Sequence, residues 1–276
     1  MTAVCPLVGR PTQTAATPYS RGGYRLVRCL ETDFVYLENP PAYEEVRDDF
    51  PWEQTIQAER DRRRQAEPVF SRLSDGLKRL KLWIAPRRNH TYTLAAKTVA
   101  TDGAAPLRLL DVGCGSGLLA VDCCERFAAA GRDVTPIGLE LSPQLANAAA
   151  QRFADWSGDV IAAPALDGVA QIEDHSIHVA TLVSFLEHDP RPLELLRALR
   201  PKLARDGVAI VKVPNFASLN RRLRGKRWCG FRFPDHVNYF TPRTLGVLAG
   251  EAGYRVVRTD RPLLGDNMYM VIRPAA

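Results

Sequence analysis

The most informative part of the chain is Leu107-Arg108-Leu109-Leu110-Asp111-Val112-Gly113-Cys114-Gly115-Ser116-Gly117-Leu118-Leu119. An apolar run ends in an acid, three glycines follow at alternate positions, and an alanine-containing, helix-forming stretch comes next. Glycine turns sharply and lets a ligand approach the backbone, and the first N–H groups of a helix have no partners inside it. The stretch therefore predicts a buried strand, a tight ligand-binding loop and the start of a helix.

A second acid, Glu140, ends the next apolar run, Val134-Thr135-Pro136-Ile137-Gly138-Leu139. An acid at the tip of the second strand is placed to accept hydrogen bonds from the hydroxyls of a ribose. Together with the glycine loop, it predicts a site for a nucleoside cofactor.

Two cofactors fit these residues. The run from Gly115 to Ala120 matches a loose G-x-G-x-x-A dinucleotide fingerprint. In a dinucleotide site the first glycine usually follows the strand directly, whereas here Asp111 and Gly113 come first. The pattern D-x-G-x-G-x-G resembles the S-adenosylmethionine loop of class I methyltransferases. A plain turn without a ligand would not need three glycines, which cost conformational entropy.

The resemblance to class I S-adenosylmethionine-dependent methyltransferases extends over roughly residues 91–273. Leu186-Glu187-His188, Val213-Pro214-Asn215 and Asp235-His236-Val237-Asn238-Tyr239-Phe240 resemble motifs of that superfamily. The resemblance implies an α/β fold with a doubly wound, Rossmann-like, seven-stranded sheet, and S-adenosylmethionine as cofactor. It also implies a set of cofactor-binding residues: Asp111, Gly113, Cys114, Gly115, Gly117, Glu140, Leu141, Ser184 and Leu186.

Strands and helices are predicted to alternate from about residue 107, as in a parallel sheet covered on both faces. The predicted strands are 107–112, 135–140, 159–163, 177–183, 207–213, 254–259 and 267–273. The predicted helices are 117–130, 143–154, 192–204 and 241–252.

The chain divides into three predicted regions. Residues 1–50 hold short β-like runs, residues 51–100 form a helical linker, and residues 101–276 form the methyltransferase domain. Residues 214–240 interrupt the alternation where the fifth strand ends, and we interpret them as a lid over the acceptor substrate. Its basic side chains are suited to an anionic acceptor and its aromatic side chains to a ring or apolar body; the residues are Arg221, Arg222, Arg224, Lys226, Arg227, Trp228, Phe231, Arg232, Phe233 and Tyr239.

The N-terminus resembles a zinc knuckle that precedes deoxysugar C-methyltransferases and related enzymes. In that pattern C-x-x-C occurs twice, and the four thiolates hold a tetrahedral metal. Here Cys5 and Cys29 keep the first position of each pair, but Val8 and Thr32 replace the second. Because two thiolates do not complete a structural zinc site, the sequence predicts a metal-free relic.

Composition sets wider limits. The chain has 276 residues, 46% hydrophobic and 25% charged, with a net charge of +6 and six scattered cysteines. These values are typical of a globular protein with reduced thiols. No signal peptide or membrane-spanning run is evident, which predicts a cytoplasmic protein and leaves peripheral membrane contact and the oligomeric state open. Signatures of nucleic-acid methylation are missing, so a small-molecule acceptor is favoured.

Methyl transfer needs in-line attack by a deprotonated acceptor, and a general base contributes about 10²–10⁴-fold to the rate. The run from Asp235 to Thr241 resembles a sugar C-methyltransferase motif, which implies that His236 is the base and that Asp235 orients its ring. His188 is the second candidate, and a packing role for His236 is equally open.

Two classes of function remain. The first is a methyltransferase acting on a sugar-nucleotide, glycan or lipid-linked acceptor. The second is a cofactor-binding protein without transferase activity, suggested by Pro164 and His178, which occupy regions where an acid is usual. Ubiquinone-pathway O-methyltransferases carry E-x-x-E-H and bind a divalent metal; Ser184 replaces the first glutamate, so no metal is predicted.

Overall fold

The computed structural model describes residues 2–20, 23–40, 89–99, 106–262 and 265–275. The segment 41–88, which includes most of the predicted helical linker, lies outside the described residues.

The strands of the described chain are β1 (Thr2–Cys5), β2 (Arg10–Ala16), β3 (Leu26–Cys29), β4 (Val35–Leu37), β5 (Leu107–Val112), β6 (Val134–Glu140), β7 (Asp159–Ala162), β8 (Ile177–Val183), β9 (Leu203–Pro214), β10 (Asn238–Tyr239), β11 (Tyr254–Asp260) and β12 (Asn267–Pro274). Its α-helices are α1 (His90–Thr98), α2 (Leu118–Ala129), α3 (Pro143–Phe153), α4 (Ala165–Ala170), α5 (Pro192–Leu199), α6 (Leu219–Arg224) and α7 (Pro242–Glu251).

Seven strands form one sheet in the order β11-β12-β9-β8-β5-β6-β7. Strands β9, β8, β5, β6 and β7 are parallel, and β12 and β11 are added antiparallel at one edge. Strand β5 lies between β6 and β8, so the chain winds away from it in both directions. The carboxyl end of β5 is therefore the switch point where open α/β sheets bind ligands.

Buried side chains pack on both faces of this sheet. Helices α1, α2 and α3 cover one face, with Leu94, Phe127 and Phe153 in its core. Helices α4, α5 and α7 cover the other face, with Leu196 and Leu248 in its core. The doubly wound, seven-stranded fold predicted from the sequence is confirmed.

The seven predicted strands of the large sheet are all present, most of them within one residue of their predicted ends. Strand β9 starts at Leu203 instead of 207, because helix α5 ends at Leu199 and a 3₁₀ turn, Arg200–Lys202, follows it. The sequence patterns missed β1, α4 and α6, which contain too few residues to establish a period. They also missed the seven-residue β2, because the side chains it buries are Thr12 and Thr14 rather than apolar ones.

The N-terminal sheet is shared with the segment predicted to be a lid. Its strand order is β1-β2-β3-β4-β10, and β10 belongs to residues 214–240. Asn238 pairs with Tyr36, and Tyr239 pairs with Val35, in antiparallel register. Strand β10 thus joins residues 214–240 to the N-terminal sheet, although about 200 residues separate β10 from β4 in the sequence.

Candidate active site

The glycine loop connects β5 to α2. Gly113, Gly115 and Gly117 all have positive φ, at 71°, 55° and 82°. A Cβ at Gly113 would lie 2.4 Å from the Phe185 ring, and one at Gly117 would lie 2.7 Å from Phe153. A Cβ at Gly115 would meet nothing within 4 Å. Protein packing therefore requires glycine at 113 and 117, whereas Gly115 leaves open space for a ligand.

Glu140 closes this loop from the neighbouring strand. One carboxylate oxygen accepts the N–H of Gly115 at 2.8 Å, and the other accepts the N–H of Ser142 at 2.9 Å. A carboxylate oxygen has a further lone pair after one hydrogen bond. Glu140 can thus hold the loop and still accept hydrogen bonds from a ribose diol.

Asp111 is buried at the end of β5. Its Oδ1 atom accepts a hydrogen bond from the Thr181 hydroxyl at 2.6 Å. Burial is the main cause that raises the pKa of this carboxyl to about 7; the Thr181 hydrogen bond opposes the rise, and the charge of Glu140 adds to it. Asp111 is therefore poised to change its ionisation near neutral pH when a cationic ligand approaches.

The other predicted cofactor residues divide into two groups. Cys114 is buried in the loop, and Leu141 and Ser184 are half-buried where β6 and β8 end. Ser184 accepts a hydrogen bond from the Lys212 ammonium at 2.5 Å. Leu186, in contrast, is fully buried in the main core. Its side chain packs in that core, and its role in cofactor binding stays a prediction.

Asp235 orients His188, not His236. The His188 Nδ1 atom lies 2.9 Å from the Asp235 carboxylate and 2.9 Å from the Asp235 carbonyl. Arg232 lies 2.6 Å from the other carboxylate oxygen. The expectation that Asp235 would serve the adjacent His236 was wrong, because Asp235 lies in a turn that directs its carboxylate to His188, while the His236 ring bonds to the Gly230 carbonyl.

Charge in this cluster favours His188 as the stronger base. Burial lowers the pKa of His188, but the charge and hydrogen bond of Asp235 outweigh this and raise the pKa above its usual value. Burial followed by the charge of His188 lowers the pKa of His236 well below its usual value. His236 instead makes a hydrogen bond to the Gly230 carbonyl through Nδ1, at 2.8 Å.

The turn after β8 is clamped by a residue that the sequence analysis did not single out. The Asn238 side chain donates to the carbonyls of Leu186 and Asp189, at 2.8 and 2.6 Å. The N–H groups of Val237 and Asn238 both donate to the Glu187 carbonyl. Asn238 belongs to the motif from Asp235 to Phe240, but only the tertiary structure shows that its side chain binds the carbonyls after β8.

Three side chains in this cluster could hold a metal ion. One ligand atom from each of Glu187, His188 and His236 lies within 4.8 Å of the others. Glu187 Oε2, His188 Nε2 and His236 Nε2 are buried and have no hydrogen-bond partner among the described residues. Two imidazoles and a carboxylate suit a divalent transition metal. The prediction of no metal rested on Ser184 alone and stays a prediction.

The aromatic residues of 214–240 form a core of their own. Trp228, Phe231 and Tyr239 are each at most 3% exposed and pack with Phe216 and Leu26. The expectation that all the lid aromatics cover an acceptor was therefore wrong for these three. They join the lid segment to the N-terminal sheet, because β10 places them beside β3 and β4.

The N-terminal module, residues 2–40, contains two similar turns at the positions predicted to be zinc-knuckle relics. The Gly9 N–H donates to the Cys5 carbonyl at 2.9 Å, and the Asp33 N–H donates to the Cys29 carbonyl at 3.0 Å. Gly9 and Asp33 have φ angles of 66° and 60°, so the two turns share one geometry. Thr32 Oγ1 lies 3.8 Å from Cys5 Sγ and joins them.

Comparison with known proteins identifies the family. A model of the methyltransferase domain family matches residues 59–259. The chain belongs to the methyltransferase domain family. A magnesium protoporphyrin IX methyltransferase from Synechocystis, solved with bound S-adenosylhomocysteine, has a similar fold. The TM-score is 0.50 and the identity 16%, over 73% of this chain and 95% of the other.

Curated relatives match part of this methyltransferase-family protein. A ubiquinone biosynthesis O-methyltransferase from Neisseria meningitidis is 32% identical over 41% of the chain and 48% of its own length. A protein of the same name from Xanthomonas campestris is 34% identical over 44% of the chain and 47% of its own length. The chain spans about half the length of the curated relatives it matches.

S-adenosylmethionine is the cofactor of this methyltransferase. The residues fit it: Gly115 leaves open space, and Glu140 retains acceptor capacity for a ribose. The described helices include none that is long and apolar enough to cross a membrane.

Proposed function

We propose that the chain is an O-methyltransferase that acts on a hydroxyl of a small, anionic, lipid-linked acceptor. The observation that carries the proposal is the His188–Asp235 pair, which leaves His188 Nε2 without a hydrogen-bond partner among the described residues. The names of the curated relatives support oxygen as the methylated atom. The cations of 214–240 support an acceptor that carries negative charge.

The bound cofactor supplies an electrophilic methyl group on its sulfonium. In the proposed reaction, His188 Nε2 would accept the proton of the acceptor hydroxyl, so that the oxygen could take the methyl group as the carbon–sulfur bond breaks and the demethylated cofactor leaves. Asp235 then stabilises the imidazolium through Nδ1, and Arg232 keeps Asp235 in place. A base held in one orientation contributes about 10²–10⁴-fold. Both His236 and Asn238 act here as positioning residues.

The test is methyl transfer from radiolabelled S-adenosylmethionine to a panel of phenolic lipids and sugar-nucleotides. For the best acceptor, we expect His188→Gln to lower kcat by about 10²–10⁴-fold while cofactor affinity, measured by calorimetry, stays constant. The matched variant His236→Gln should lower kcat less. Near-native turnover of His188→Gln together with loss of activity in His236→Gln would identify His236 as the base. Cofactor binding without transfer to any acceptor would favour a binding protein.

The proposal is metal-free, so activity should survive a chelator. If chelation abolishes transfer and Mg²⁺, Mn²⁺ or Zn²⁺ restores it, Glu187, His188 and His236 are metal ligands instead. Elemental analysis of the purified protein supplies an independent readout that does not depend on the acceptor.

A further inference from the structure

Helix α6 and the 3₁₀ turn after it, Gly225–Arg227, present one outward face, which we name the α6 face. Within α6, the exposed Arg222 and Leu223 come three and four positions after the exposed Leu219, which is the spacing of one side of a helix. The helix ends at Arg224, and the exposed Lys226 and Arg227 lie on the 3₁₀ turn next to it. Leu219 is 45% exposed and Leu223 is 77% exposed, so two large apolar side chains stand among three cations.

The opposite side of α6 is fixed to the protein. Ser218 caps the helix by accepting the N–H of Arg221. Arg221 donates to the Phe216 carbonyl at 2.7 Å and to the Tyr19 hydroxyl at 3.1 Å, and Asn220 donates to Asp266 at 2.8 Å. These contacts fix the rotation of the helix about its axis. The helix therefore holds Leu219 and Leu223 in an exposed position.

The exposed charges on the α6 face are all positive, and Asp266 contacts the opposite side of the helix through Asn220. No acidic residue occurs between Asp206 and Asp235 in the sequence. A second copy of the same face is a poor partner, since its cations would repel these. Nucleic acid would pair with the cations but would leave the leucines in water.

We propose that the α6 face docks onto an anionic lipid bilayer. Leucine side chains can enter the boundary between headgroups and acyl chains, while arginine and lysine extend to the phosphates. Each cation near an anionic surface strengthens binding by about fivefold. Both side-chain types on this face therefore have favourable partners in a membrane surface, and a spanning helix is not required.

The α6 face lies on the same segment as Asp235 and His236. Docking would keep the reacting groups beside acceptors that reside in the bilayer. This consequence rests on the proposed function, whereas docking itself does not.

The experiment is co-sedimentation of the full chain with phosphatidylcholine vesicles, with and without phosphatidylglycerol. We expect binding to the anionic vesicles that weakens with added salt. Replacing Leu219 and Leu223 by Gln should weaken it about tenfold. Replacing Arg222, Lys226 and Arg227 by Gln should weaken it on the order of 100-fold. The affinity for S-adenosylmethionine should not change in either variant.

Two matched controls separate the effect of the α6 face from the effects of net charge and of exposed apolar surface elsewhere on the protein. The triple variant of Lys97, Arg205 and Arg255 to Gln removes the same number of exposed charges elsewhere. Leu30→Gln removes an exposed leucine from the N-terminal module. Both controls should bind like the wild type.

Several outcomes would overturn the proposal. One is no binding to anionic vesicles, and another is equal binding to vesicles without phosphatidylglycerol. Equal weakening by the control charge variant would reduce the effect to net charge. A dimer in sedimentation that the leucine variant abolishes would assign the face to a second copy. Vesicle binding and methyl transfer are measured in separate assays. Failure of membrane docking and failure of the proposed function can therefore be distinguished.

Discussion

Asp111 is a buried carboxyl whose ionisation is linked to folding. Its pKa of about 7 exceeds the ordinary value of 3.8, chiefly because burial disfavours the charged form. Between about pH 4 and pH 7 the folded protein therefore binds a proton that the unfolded chain has released. The contribution of Asp111 to stability is present below this window and is lost as the pH rises through it.

We predict that the cofactor-free protein loses stability from pH 5 to pH 7 partly through Asp111, and that Asp111→Asn flattens this slope. Urea unfolding at several pH values measures it. The exposed Asp206→Asn is the control and should retain the wild-type slope. An unchanged slope in Asp111→Asn would mean that Asp111 is already ionised in the folded protein.

Asp235 should set the pH dependence of catalysis through His188. Burial lowers the pKa of His188, and the Asp235 carboxylate more than compensates. We predict that Asp235→Asn lowers kcat by about 10²–10⁴-fold and moves the acidic limb of the kcat/KM profile to lower pH, because a neutral amide no longer stabilises the imidazolium. The pH–rate profile checks both effects. A lower rate with an unmoved limb would point to a structural role only.

At the scale of elements, the turns that follow Cys5 and Cys29 share one backbone geometry. We predict that the double variant Val8→Cys/Thr32→Cys binds one zinc ion per chain, since positions 5, 8, 29 and 32 repeat the C-x-x-C pattern on turns of the same geometry. Elemental analysis and the spectrum of a cobalt-substituted sample report the binding. The single variant Val8→Cys should bind more weakly, and failure of the double variant would show that the turns do not face one site.

At the scale of the whole molecule, β10 makes the N-terminal sheet and residues 214–240 one folded unit. Leu26 is fully buried in the aromatic cluster with Trp228 and Phe231. We predict that Leu26→Ala destabilises the protein by about 2–5 kcal/mol, because it opens a cavity in this cluster. Hydrogen exchange should also increase in residues 214–240. The exposed Leu30→Ala is the control and should leave stability and exchange unchanged. An increase in exchange confined to strands β1 to β4 would show that the N-terminal sheet and residues 214–240 are uncoupled.

The sequence by itself determined the parts of the protein that depend on local order. An apolar run that ends in an acid, followed by glycines at alternate positions, predicted β5, its loop and α2. The position of Glu140 after the next apolar run predicted the second side of the cofactor site. These features follow from residues that are close in the chain, where periodicity and the conformational freedom of glycine act directly. The family resemblance extended the same reading to the whole sheet.

Only the tertiary structure decided which side chains meet. His188 and Asp235 are 47 residues apart, and the sequence favoured the adjacent His236 instead. The burial of Trp228, Phe231 and Tyr239 depends on β10 pairing with β4, which no local pattern encodes. Packing between distant segments sets the direction of each side chain, and it is this direction that selects His188 as the candidate base.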